Sequence, residues 1–262
     1  MNPKAKKKLA LVPAILSILL TVAAGLFVPA GWNFIVVMTL LLIFLAILGI
    51  IFGGRPAGIL INERFLMSLS RLQLVIWTTI LVSALLTIAL ARVRAAYLDP
   101  DAGIDPVDIT VDGQLWALLG ISGTSFLGAT IVHGAKKNEI ADDPTAVEEA
   151  ATAYQEDPKE TAKRASGILY ANKEPKDAEF ADLFQGDELK NALTIDMGKV
   201  QMFFFTIVAA VTYSAAIFQL LVTSLPQDVT AFPPVSDGLV VLLGISHGTY
   251  LGGKTVDKTK TV

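Results

Sequence analysis

Charged side chains disappear from this chain in long blocks. No Asp, Glu, Lys or Arg occurs from Leu9 to Gly54, Leu72 to Ala91, Gly113 to Ala135, Val200 to Gln227 or Gly238 to Gly253. A water-exposed helix carries a polar face every few residues, so these blocks exclude a soluble helical bundle. An outer-membrane barrel would instead alternate apolar and polar positions over strands of about ten residues. A spanning helix needs about 20 apolar residues, and the first block is long enough for two, broken at Val28-Pro29-Ala30-Gly31-Trp32-Asn33. The pattern predicts an all-α membrane protein with six transmembrane helices, at 9–28, 34–53, 72–97, 114–133, 200–224 and 237–253. Between them lie a basic start (1–8), a short loop (54–71), an acidic segment (135–199) and a tail (254–262).

The basic residues orient the spans, because Lys and Arg concentrate on the cytoplasmic side. With the N-terminus inside, 19 of the 21 fall in cytoplasmic pieces. Only Arg92 and Arg94 lie outside, at the end of the third span, where they can snorkel toward water. An acidic outer loop with Asp99, Asp101, Asp105, Asp108 and Asp112 follows them. Trp32, Tyr97, Trp116 and Phe232 all fall near the outer interface, where aromatic rings anchor spans. The lysine-rich start followed by an apolar run and Val28-Pro29-Ala30 has the outline of a signal peptide. Its apolar stretch exceeds the usual 7–15 residues, which favours a retained first span.

Composition narrows the chemistry. Of the 262 residues 53% are hydrophobic and 17% charged, and the net charge is −3, so no basic face points to nucleic acid. The absence of cysteine removes disulfides, thiolate catalysis and zinc–thiolate sites.

The chain repeats itself. Arg71-Leu72-Gln73 opens the third span and Lys199-Val200-Gln201 opens the fifth. Leu118-Leu119-Gly120-Ile121-Ser122-Gly123-Thr124-Ser125-Phe126-Leu127-Gly128 in the fourth span matches Leu242-Leu243-Gly244-Ile245-Ser246-His247-Gly248-Thr249-Tyr250-Leu251-Gly252 in the sixth at seven of eleven positions. The two copies are hairpins entering from the same side, a parallel duplication. These phrases, together with Phe184-Gln185-Gly186-Asp187-Glu188, resemble a family of uncharacterised bacterial multi-pass membrane proteins with a repeated two-helix hairpin of the form R/K-x-Q … LLGIS-x-G-x-Y-L. The resemblance covers roughly 60–262 and implies a bacterial inner (cytoplasmic) membrane; the partition of basic residues places both termini on its cytoplasmic side. It implies no particular activity.

Within the repeat, Gly120, Thr124 and Gly128, and likewise Gly244, Gly248 and Gly252, recur every four residues and share one helix face. Such small-residue stripes let backbones approach closely in lipid, either inside the chain or between copies in a homo-oligomer. Gln73 and Gln201 are expected about one turn inside the cytoplasmic boundary, each bonding the neighbouring hairpin helix or lining a polar path. Ser122, Ser246 and His247 are the other intramembrane polar candidates. His247 replaces Gly123 of the other copy, and no Asp or Glu within a span accompanies it as a proton partner.

The acidic segment holds 15 acids and 9 bases. Asp157-Pro158-Lys159-Glu160 predicts a helix start, with an acceptor cap, proline in the first turn and Glu at N3. Asp143-Pro144 predicts another. Phe180, Leu183 and Phe184 form a small apolar face at helical spacing, a candidate dock for a cytoplasmic protein partner. So few large apolar groups predict short helices rather than an enzyme-sized core. No Walker loop, zinc-ligand spacing, Gly-x-Ser-x-Gly or intramembrane carboxylate pair occurs, so neither an enzyme nor a bound cofactor or metal is expected. Two readings stand. One is a scaffold or anchor that packs through its glycine faces and presents the acidic segment. The other is a subunit of an oligomeric pore whose path is lined by Gln, Ser, Thr and His.

Overall fold

The computed structural model describes residues 3–139 and 145–256, with side chains from residue 11 onward. The helix start expected at Asp143-Pro144 and the last two tail lysines lie outside the described residues. The helices are α1 (Pro3–Phe27), α2 (Trp32–Gly53), α3 (Leu69–Leu98), α4 (Gly113–Lys136), α5 (Thr145–Tyr154), α6 (Pro158–Arg164), α7 (Met197–Thr223) and α8 (Asp237–Thr255). No strand occurs among the described residues, only isolated bridges. The protein is therefore a helical membrane protein, with α2, α3, α4 and α7 each long and apolar enough to cross a bilayer. The described apolar stretch of α1, Leu11–Phe27, is shorter. In α8, Asp237, Ser246, His247, Lys254 and five glycines dilute the apolar character of its 19 residues.

Contacts divide the chain into two compact units, and the division falls inside α3, α4, α7 and α8. The first unit comprises Met1–Ile59, Val75–Leu119 and Ile207–Val240. Here α1 and α2 pack as a hairpin. Its turn requires Gly31 at φ 79, because a Cβ there would collide with the Val222 side chain. At the far end of α2, Gly54 closes the helix in the left-handed region at φ 73 and donates its N–H to Ile50 O at 3.2 Å. The 3₁₀ turn Pro56–Leu60 then folds back so tightly that a Cβ on Gly53 would lie 2.6 Å from Gly58 Cα. Glycine-dependent close packing thus falls on Gly53 and Gly58, outside the repeated stripes.

The same unit buries Arg92. Its Nε and Nη2 donate to Asp105 O at 3.0 and 2.7 Å, and Nη1 donates to Gln227 O at 3.1 Å and Val229 O at 2.9 Å. One guanidinium thereby ties the loop after α3 to the loop after α7, which also pair through the parallel bridge Thr110↔Ala231. Arg92 accordingly does not snorkel, because carbonyl oxygens take the place of water. Arg94 is exposed and donates to Leu26 O at 2.9 Å. Trp32, Tyr97 and Trp116 are exposed. Phe232 is instead buried, held by its N–H to Thr110 O at 3.1 Å.

The second unit comprises Leu60–Leu74, Gly120–Thr206 and Val241–Val262. The segment between α4 and α7 folds around a small core of Leu66, Ala146, Ala150, Tyr170, Leu189 and Ala192. Tyr154 stacks on Tyr170 with ring centroids 4.2 Å apart. Helix α6 starts where the sequence predicts, with Asp157 Oδ1 accepting from Lys159 N at 2.7 Å. Glu160 does not reach back to close a capping box, since its carboxylate takes Lys163 Nζ at 2.8 Å instead.

Candidate functional site

Two polar clusters are built in the second unit, and the first joins α3, α4, α7 and α8. Gln73 is completely buried, and its amide nitrogen donates to Thr206 Oγ1 at 2.5 Å and lies 3.2 Å from His247 Nε2. That nitrogen can only donate, so Nε2 of His247 accepts and the ring proton sits on Nδ1. Nδ1 then donates to Ser125 Oγ at 2.5 Å. Thr206 passes its own proton to Met202 O at 2.8 Å. The result is a neutral chain crossing four helices, Thr206–Gln73–His247–Ser125. Gln73 Oε1, Ser122 Oγ and Ser246 Oγ are buried without a hydrogen-bond partner among the described residues. Orphaned buried oxygens of this kind are uncommon and costly.

The second cluster is ionic, and Asp187 is its hub. Arg64 Nη2 donates to Asp187 Oδ1 at 2.7 Å, Lys199 Nζ lies 3.3 Å from the same oxygen, and Lys254 Nζ donates to Oδ2. His133 Nε2 sits 3.2 Å from Lys254 Nζ and 3.4 Å from Arg64 Nη2. With two cationic donors aimed at it, the ring is best placed as a neutral acceptor. Beside the hub, Lys136 Nζ donates to Glu188 Oε1 at 2.6 Å and to Val256 O at 2.9 Å. Burial alone would raise the Asp187 carboxyl, but the charges of Lys199, Lys254 and Arg64 hold it well below the usual carboxylate range.

Local structure delivers Arg64 to this place. The turn between Ile61 and Met67 is tied by Asn62 Oδ1, which accepts from Arg64 N at 2.9 Å and Leu66 N at 3.2 Å. Phe65 at the tip has φ 57, a left-handed conformation that bulky residues seldom adopt. Asn172 straps the tip down, donating its Nδ2 to Phe65 O at 2.9 Å and its N–H to Arg64 O at 3.0 Å. Arg64 Nη1 then reaches the carbonyls of Tyr170 at 3.0 Å and Asp187 at 2.9 Å.

The structure brings Gln73, His247, Ser122 and Ser246 inward but leaves Gln201 exposed. The two similar phrases are therefore used differently. Lys199 turns into the hub, whereas Arg71 stays near the surface, 3.9 Å from Glu63. Gln73→Leu is expected to cost about 1 kcal/mol, the scale of a hydrogen bond between membrane helices. Gln201→Leu should cost almost nothing. Thermal unfolding of the two purified variants checks this, and equal losses would refute the asymmetry.

The small-residue stripes are mostly uncovered within the chain. A Cβ added at Gly120, Gly248 or Gly252 would meet open space, one at Gly244 would lie 3.8 Å from Ile121, and only at Gly128 would it press on Leu251, at 3.0 Å. Thr124 is exposed. Close packing through these stripes inside one chain is thus limited to Gly128. Of the docking candidates, Leu183 is buried and Phe184 packs on Phe203 with centroids 5.1 Å apart. Phe180 alone remains exposed, and Phe180–Leu183 is a 3₁₀ turn rather than the start of an α-helix.

Arg64, His133, Asp187 and Lys254 are the functional candidates that sequence pattern missed. Asp187 stood inside a conspicuous phrase, but its partners are scattered along the chain and in sequence count only as basic residues at span ends. No protein-family model, curated protein or solved structure matches this chain.

Proposed function

We propose that this protein is a membrane scaffold that holds a folded acidic module rigidly against its transmembrane helices. In this reading it crosses a bacterial inner membrane six times, with α1 and α8 as the two further spans and both termini cytoplasmic. The partition of basic residues supports the orientation. The observation that carries the function is the Asp187 hub. Arg64, Lys199 and Lys254 converge on one carboxylate of the segment between α4 and α7, so charges at helix ends fasten that segment instead of lining an open passage. The surface presented to a cytoplasmic partner is then the polar outer side of α5 and α6, with Glu148, Glu149, Lys159 and Glu160, rather than the Phe180–Phe184 face. This reading assigns the chain no catalysis.

A second reading, a subunit of an oligomeric ion or solute pore, rests on the chain Thr206–Gln73–His247–Ser125 and its three orphaned oxygens. Purified protein in planar bilayers separates the two. The scaffold should show no conductance above empty bilayers. A conductance altered in a stably folded Gln73→Leu variant would overturn the scaffold in favour of the pore.

Homo-oligomerisation enters through the uncovered stripe of α8. Gly248→Leu should leave the unfolding temperature of the monomer unchanged and lower any dimer fraction seen by cross-linking in membranes. Gly128→Leu should destabilise the monomer itself by roughly 1–3 kcal/mol through overpacking against Leu251. Unchanged cross-linking with Gly248→Leu would remove this stripe as an interface.

A further inference from the structure

Large apolar side chains cluster outside the core where the acidic segment meets the first turns of α7. Phe180 is 60% exposed, Leu193 45%, Ile195 69%, Met197 69% and Phe204 60%. They lie on one flank. Phe180 and Phe184 both pack edge-on against Phe203, at 6.3 and 5.1 Å, and Phe203 packs on Phe204 at 5.8 Å. The antiparallel bridge Gln185↔Ile195 and the bond from Asp196 N to Phe184 O at 2.7 Å set residues 193–197 beside the same aromatic group.

The charged groups interleaved with these side chains are engaged by backbone amides. Asp196, between Ile195 and Met197, spends Oδ1 on the first amides of α7, accepting from Gly198 N at 2.9 Å and Lys199 N at 3.2 Å. Asp182 points Oδ2 at Met67 N and Glu179 N, at 3.0 and 2.9 Å. Thr194 donates to Asn191 O at 2.9 Å. Thr194 is itself exposed, and Gln201 is exposed on α7 between Met197 and Phe204, so uncharged polar groups share this flank with the hydrocarbon.

We infer that the flank formed by Phe180, Leu193, Ile195, Met197 and Phe204 is immersed in the bilayer, with lipid as its partner. Continuity decides between lipid and protein as the occupant. The flank runs without a charged side chain into exposed Phe204, Val208 and Val211 of α7, and α7 is itself long and apolar enough to span. At 1.5 Å per residue the 27 residues of α7 extend roughly 40 Å, more than the hydrocarbon core of about 30 Å. Its first turn therefore stands in the interfacial layer, and Ile195 and Met197 stand there with it. Amphipathic segments settle at this depth by burying one apolar face. Exposed Glu179, next to Phe180, marks the water edge. The 3₁₀ turn Phe180–Leu183 is then a lipid anchor for the acidic segment and not a dock for a soluble protein.

The chain lacks cysteine, so single cysteines can carry a spin label in otherwise intact protein. Labels at 180 and 195 in reconstituted vesicles would be compared with one at exposed Glu148 and one at Val208 within α7. Oxygen concentrates in hydrocarbon and a charged nickel chelate stays in water. Labels at 180 and 195 are expected to collide preferentially with oxygen, as at 208, and unlike 148. Nickel-dominated collisions at 180 and 195, with 208 oxygen-dominated, would overturn the immersion while leaving the span intact. Low collision rates with both reagents would overturn it in favour of coverage by protein. Nickel-dominated collisions at 208 as well would overturn the inference together with the span.

Discussion

Asp187→Asn is expected to destabilise the protein by about 3–5 kcal/mol, the usual cost of removing one partner from a buried ion pair. The reason is the imbalance it leaves. Arg64, Lys199 and Lys254 share this one carboxylate at the hub, and asparagine leaves their charges facing one another. Thermal unfolding in detergent measures the loss, and limited proteolysis shows where it falls. New cleavage should appear in the segment between α4 and α7 before any span is cut. A variant as stable and as protease-resistant as the parent would show that the hub fastens nothing. The pH dependence has a fixed sign. The folded carboxyl lies below its unfolded value of 3.8, so its stabilisation is fully present above that value. It is lost as pH falls through the lower folded value. The parent should therefore loosen this segment on strong acidification, and Asp187→Asn should lack that component.

Arg92→Met should come next in magnitude, with a loss of about 1–3 kcal/mol. The carbonyl of buried Val229 would lose its donor, and an unsatisfied buried acceptor costs about 1–3 kcal/mol, while the carbonyls of exposed Asp105 and Gln227 can turn to water. Methionine keeps much of the packing volume, so the loss reports the hydrogen bonds. Arg92→Lys should recover only part, because an ammonium cannot reproduce the planar fork that reaches both loops. Differential unfolding of the three proteins checks the order, and a loss below about 1 kcal/mol for the methionine variant would mean that water satisfies the Val229 carbonyl as well.

How much of this was legible in the sequence depends on the range over which each signal acts. Helices α2, α3, α4 and α7 were readable because the absence of charge over 20 or more residues is a local property with a single physical meaning in lipid. The start of α6 was readable for the same reason, since Asp157 and Pro158 act within one turn. The glycine stripes were legible as patterns but not as contacts. Spacing places Gly120, Gly248 and Gly252 on helix faces, yet says nothing of what stands opposite, which in this chain is open space. Sequence similarity misled at Gln201, because similar phrases need not meet similar neighbours. Gln73 finds Thr206 and His247, and the His247 that completes the chain is one of the four positions at which the two phrases differ. The hub was hidden most thoroughly. Its members Arg64, His133, Asp187, Lys199 and Lys254 are separated by up to 190 positions, and only the packing of the helix ends brings them together.

That spacing also sets an order of events as the chain is made. Lys254 comes after every other member of the hub, so Asp187 waits with an incomplete set of counter-charges until α8 has been synthesised and has docked. Until then the acidic segment is held by fewer clasps and stays open to proteases. Closure of one carboxylate thus depends on the arrival of the final helix, and a chain stalled before residue 254 would leave Asp187 to Arg64 and Lys199 alone.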